Sequence, residues 1–111
     1  MTKFVAMYLA PRSALEQMAK ATPEQMKAGM DAWMNWAKRN ETALVDLGAP
    51  LGKTKRVTAQ GVGDSRNDVT GYSIVDADSL EAAAKLFEGH PHLHLTGAVV
   101  EVLECRPIPG T

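Results

Sequence analysis

The run Lys3-Phe4-Val5-Ala6-Met7-Tyr8-Leu9-Ala10, stopped by Pro11, decides the fold. A short apolar run with aromatic and β-branched residues, ended by proline, predicts a strand rather than a helix. Alternation puts Phe4, Ala6 and Tyr8 on one face and Val5, Met7 and Leu9 on the other. Both faces are apolar. The strand therefore belongs to a sheet that must be covered on both sides.

Working outward, residues 13–20 predict a short helix. A clearer helix start follows. Thr22 suits the N-cap, Pro23 the first helical position, and Gln25 completes a capping box. Met26, Met30, Trp33, Met34, Ala37, Leu44 and Leu47 recur at helical spacing. Gly48 is placed to end the helix and Pro50 to prevent its continuation. The pattern predicts a helix over about 23–47 with a Met/Trp stripe against the sheet. Gly29 and the polar patch Lys38–Thr42 weaken it and leave room for a break near residue 40.

Residues 55–60 and 69–75 read as two strands of an antiparallel hairpin, with turn residues from Gly61 to Asp68 between them. Asp78 then caps a second helix, with Glu81 three residues on and Leu80, Ala83, Ala84 and Phe87 as its apolar stripe. Gly89 ends it. Residues 98–105 form a last strand, stopped by Pro107 and Pro109. The order is β-α-β-β-α-β, a ferredoxin-like α+β domain. Two helices cover one face of such a sheet. A second copy of the sheet is the simplest cover for the other, which predicts a homodimer.

The 111 residues fit one domain, 1–111, with no linker or repeat. The net charge is −1 and the cations are scattered. The densest basic stretch, Lys53–Arg56, is too short to argue for nucleic acid and reads as a solvated loop. A single cysteine, Cys105, excludes an internal disulfide. The apolar run at the N-terminus is too short for a secretory signal or a membrane span, so a cytoplasmic location is expected by default. Gly61-Val62-Gly63 lacks the rest of a dinucleotide fingerprint, and Ser13, Ser65, Ser73 and Ser79 sit in no nucleophile elbow. No cofactor is expected.

All three histidines fall within Gly89-His90-Pro91-His92-Leu93-His94. In an extended segment alternate side chains share a face, so His90, His92 and His94 would point one way. Imidazoles titrate near physiological pH, which suits acid/base chemistry. Metal storage or sensing is a third reading, but no Cys, Asp or Glu completes a convincing ligand spacing. The plain reading is a set of loop histidines favoured by a helix C-terminus. Asp31 flanks the apolar stripe of the long helix, either partly exposed or facing a cleft and orienting a histidine. Trp33 and Trp36 lie three apart, so one of them is available to line a pocket or a dimer contact rather than pack the core.

These segments resemble the YCII-related proteins. The likeness is carried by Met1–Leu9, Asp31-Ala32-Trp33-Met34-Asn35-Trp36, Leu44-Val45-Asp46-Leu47-Gly48, Gly71-Tyr72-Ser73-Ile74-Val75 with Asp78–Ala83, and Gly89-His90-Pro91-His92-Leu93 with Arg106-Pro107. It covers nearly the whole chain. The resemblance implies a dimeric α+β barrel, a pocket between the sheet and the long helix, and a His–Asp pair. In the family the helix carries the His and the segment before the last strand carries Asp-Pro. Here Asp31 and His90-Pro91 stand at those places, so the pair is exchanged. The Asp-Gly-Pro-Phe motif of one branch is absent. Some relatives act on lactones or halogenated ring-cleavage products.

The expectation is a small-molecule enzyme of lyase, isomerase or dehalogenase type. His90 or His92 would be the general acid/base, with Asp31 orienting the imidazole. Tyr8, Trp33 and Trp36 would shape an apolar pocket. The competing expectation is a non-catalytic binding or regulatory module.

Overall fold

The computed structural model describes residues 1–110. The first strand, β1 (Thr2–Leu9), lies inside a four-stranded antiparallel sheet. It pairs on one side with β5 (Val69–Ala77), where Phe4 faces Val75, Ala6 faces Ser73 and Tyr8 faces Gly71. On its other side it pairs with β6 (Val99–Glu104), where Ala6 faces Val102. A short strand, β2 (Leu44–Asp46), completes the order β2-β5-β1-β6. This is the ferredoxin-like arrangement, and the chain is an α+β domain. No helix among the described residues is long and apolar enough to cross a membrane.

On β1 the expected alternation holds. Phe4, Ala6 and Tyr8 are buried, while Val5, Met7 and Leu9 are half-buried. The buried face packs with Trp36, Val75, Ala83 and Phe87 into one core. Burying each of the large side chains contributes roughly 1.5–3 kcal/mol. Among the described residues no helix covers the opposite face of the sheet. Tyr72 and Ile74 stand there half-buried, with Val99 and Leu103 exposed.

The helices are α1 (Arg12–Met18), α2 (Pro23–Arg39) and α3 (Leu80–Lys85), with a 3₁₀ turn over Pro91–His94. The predicted capping box starts α2. Thr22 Oγ1 accepts from the Gln25 N–H at 3.1 Å and Gln25 Oε1 accepts from the Thr22 N–H at 2.9 Å. The helix stops at Arg39 rather than near 47, because Asn40 closes it. The Asn40 side-chain amide donates to the Trp36 carbonyl at 2.9 Å. Leu44 then pairs with Val75 as part of β2. Leu44 and Leu47 keep helical spacing in the sequence but reach the same core from a strand. Gly48 does not end a helix. At φ 83° it passes against β5, where an added Cβ would lie 1.8 Å from the Tyr72 carbonyl oxygen.

Two further expectations change. Residues 55–60 do not pair with residues 69–75. Instead β3 (Thr54–Thr58) pairs with β4 (Gly61–Ser65) in a separate two-stranded hairpin, with Val57 opposite Val62. Lys53–Arg56 thus leads into a strand and is not a plain loop. Ser79, not Asp78, caps α3, its Oγ accepting from the Ala82 N–H at 3.0 Å. The backbone stays extended through Ser79, so the turn into helix comes one residue later.

The Met/Trp stripe of α2 also divides. Trp36 and Ala37 are buried and Trp33 half-buried, but Met26, Met30 and Met34 are exposed. The C-terminal half of the helix packs on α3 and the 3₁₀ turn, through Trp36 and Trp33. Its N-terminal half stands clear of the sheet.

Candidate functional site

The site is built where α3 ends. Gly89 takes φ 70° and turns the chain back toward the sheet. Pro91 then starts the 3₁₀ turn, and the His90 side chain caps it, Nδ1 accepting from the His92 N–H at 3.0 Å. His90 is fully buried. Its ring lies 4.4 Å from Trp33, 4.5 Å from Trp36 and 5.1 Å from Tyr8, centroid to centroid. Phe87 is 6.0 Å away.

This geometry sets the protonation of His90. An N–H points at Nδ1, so the single proton of the neutral imidazole sits on Nε2. Nε2 is buried without a hydrogen-bond partner among the described residues. Such an unmet donor costs about 1–3 kcal/mol in a packed interior. Burial lowers the pKa of His90 to about 4, and the neighbouring His92 and His94 push it the same way. The imidazole is therefore neutral at physiological pH.

His92 is also buried, and its Nε2 lies 2.8 Å from the Leu9 carbonyl oxygen. A carbonyl only accepts, so Nε2 carries the proton and Nδ1 holds the lone pair. That Nδ1 has no partner among the described residues. His94 is exposed. The three imidazoles do not share a face, because the segment is a 3₁₀ turn and not a strand. Residues two apart project differently there, and only residues three apart eclipse. Among the described residues no group of three or more His, Cys, Asp or Glu is placed to hold a metal.

Tyr8 is buried and 4.9 Å from Trp33, ring to ring. Its hydroxyl lies 2.8 Å from Ser73 Oγ, and Ser73 donates onward to the Leu47 carbonyl at 2.7 Å. With its own hydrogen committed, Ser73 accepts from Tyr8. Burial outweighs this bond and raises the Tyr8 pKa to about 12, so the phenol stays protonated. Trp36 donates from Nε1 to the Leu86 carbonyl at 2.8 Å and is otherwise enclosed. Trp33 is half-buried and perpendicular to the His90 ring, and it is the least buried of the four rings against His90.

The fold thus brings together Tyr8, Trp33, Trp36, His90 and His92. It does not bring Asp31 to them. Asp31 is exposed and bonds Lys27 one turn away at 2.9 Å, so the carboxylate–imidazole pair is not formed. The cause is the projecting half of α2, whose flank meets solvent where a cleft was expected. Ser73 sits in no nucleophile elbow, yet the fold buries it against Tyr8. Its signal was a hydroxyl between Gly71 and Val75 on the apolar face of a strand. Two surface hollows lie along the β3–β4 hairpin, and none of their lining residues belongs to the histidine cluster.

Fold and cluster together define a ferredoxin-like α+β domain with two buried histidines in an aromatic setting. No family model and no curated protein sequence matches the chain. Among solved structures it is similar to a 5-chloro-2-hydroxyhydroquinone dehydrochlorinase from Burkholderia phenoliruptrix, described in complex with 2,5-dihydroxybenzoquinone. The identity is 15%, the match covers 91% of each chain, and the TM-score is 0.48.

Proposed function

We propose that this chain is a small-molecule enzyme of lyase, isomerase or dehalogenase type, acting at His90 and His92 as a homodimer. One observation carries the reading: a buried, neutral imidazole with an unpaired Nε2–H among Trp33, Trp36, Tyr8 and Phe87. A fold keeps an unmet donor in its core at a cost, and a ligand oxygen would remove that cost. In this reading His90 donates from Nε2 to a substrate oxygen. His92, held by the Leu9 carbonyl, offers Nδ1 as general base. Tyr8 and Trp33 line the approach, and Trp33 moves aside to admit the ligand. Trp36 holds His90 from behind. Asp31 takes no part.

The homodimer is supported by the uncovered sheet face, where Val5, Met7, Leu9, Tyr72 and Ile74 lie beside exposed Val99 and Leu103. A second reading, a non-catalytic interaction module, draws support from the exposed stripe Met26, Met30 and Met34.

The test is a thermal-shift screen of wild type, His90→Ala and His92→Ala against lactones, halogenated ring-cleavage acids and small organic acids. A ligand at about 100 times its dissociation constant adds about 2.7 kcal/mol. For a domain of this size that is a shift of several degrees. A shift in the wild type that both variants lose supports the reading and selects compounds for turnover assays. A shift that both variants keep places the site elsewhere. No shift with any compound favours the interaction module.

A further inference from the structure

The β3–β4 hairpin is an arm without a body to rest on. Its ladder is internal, and it makes no more than glancing contact with other elements. Val57 and Val62 face each other across it and are 74% and 69% exposed. A lone two-stranded hairpin is marginal in water, and this one has a single apolar cross-strand pair and glycine at 61 and 63. Its order therefore calls for support from outside the chain. The radius of gyration, 15.7 Å, exceeds the ~13 Å of a compact domain of this length, as a projecting arm requires.

Charge says what kind of support. Between residues 53 and 66 the chain carries Lys53, Lys55, Arg56 and Arg66 against Asp64 alone, a net +3. The whole chain is −1, so everything outside the arm sums to −4. A basic arm on an acidic body is complementary to the body of another copy. The edge strand β6 offers the matching chemistry. Val99, Glu101 and Leu103 alternate onto its open face, all exposed. An isologous dimer applies each such contact twice.

Resting on the homodimer reading above, we infer that the hairpin clasps a second copy of this chain. Val57 and Val62 pack against Val99 and Leu103 at the margin of the other sheet, and the arm's cations lie beside Glu101 there.

Sedimentation equilibrium of the full chain tests this on wild type, Val57→Lys/Val62→Lys, Leu103→Lys, and Lys53→Glu/Arg56→Glu. The expected result is a wild-type dimer whose dissociation constant weakens at least tenfold in the valine and Leu103 variants. The charge variant should weaken at low salt and approach wild type at high salt, since exposed charges are then screened. Its side chains are exposed, so it carries the test if a valine variant fails to fold. A monomeric wild type would overturn the dimer reading and the arm with it. A dimer of unchanged affinity in every variant would overturn the arm alone. Heparin retention lost in the charge variant, with sedimentation unchanged, would assign the arm to a nucleic acid and overturn the clasp.

Discussion

The His92 backbone N–H donates to His90 Nδ1 at 3.0 Å, and this single bond decides which nitrogen of the buried imidazole keeps its proton. Everything the site offers follows from it. Nε2 becomes a donor, the ring stays uncharged, and protonating Nδ1 would leave the His92 N–H without its acceptor and put a charge among apolar rings.

That relationship makes stability depend on pH. The folded-state pKa of His90, about 4, lies below the unfolded value of 6.5. Above pH 6.5 both states are neutral at this residue and stability is flat. As pH falls from 6.5 toward 4, the unfolded chain binds the proton first and stability declines. The His90 contribution lost over that window is about 3 kcal/mol. Urea denaturation at pH 7, 5.5 and 4.5 measures it. His90→Asn keeps an acceptor for the His92 N–H but does not titrate. It should flatten the decline, and an equal slope in both proteins would mean that other groups carry it.

Trp33 and Trp36 should separate in experiment although they share a helix. Trp36 is enclosed and hydrogen-bonded to the Leu86 carbonyl, so Trp36→Ala should cost about 3–5 kcal/mol. Trp33 is half-buried, and its removal should cost less while opening His90 to solvent. Hydroxyl-radical footprinting followed by peptide mapping reads the second effect. In wild type His94 should label and His90 should not. In Trp33→Ala His90 should label as well. Protection of His90 in that variant would show that Trp33 is not its cover.

Asp31 should matter little. Its ion pair with Lys27 is exposed on both sides, and such pairs contribute about 0.3–0.5 kcal/mol. Asp31→Asn should leave ligand binding, stability and the imidazole resonances of His90 nearly unchanged. A tenfold loss of binding with intact stability would restore a carboxylate–imidazole pair and overturn the arrangement described above.

How much of this was legible beforehand varies residue by residue. The alternation in Phe4–Leu9 specified a strand and its two faces, because a period of two leaves no other placement for six apolar side chains. Thr22, Pro23 and Gln25 specified a helix start through local bonds alone. The end of that helix was not local. Leu44 and Leu47 suit either a helical or a strand periodicity, and pairing with Val75 chose the strand. Gly48 looked like a helix terminator, yet it is glycine because a Cβ would strike Tyr72.

The site divides in the same way. The sequence by itself determined which residues were available: three histidines in one segment, two tryptophans one turn apart, and a tyrosine on the buried face of β1. It also pointed to a β-α-β-β-α-β order, but the sheet takes its second strand from Leu44–Asp46 and not from residues 55–60. Only the tertiary structure decided that His90 and His92 turn inward while His94 turns out, that Asp31 faces solvent, and that the hairpin stands free. The physical reason is range. Caps, turns and periodicity act over a few residues. Burial, tautomer and pairing are set by atoms far away in the chain, such as the Leu9 carbonyl that holds His92 and the aromatic rings that enclose His90.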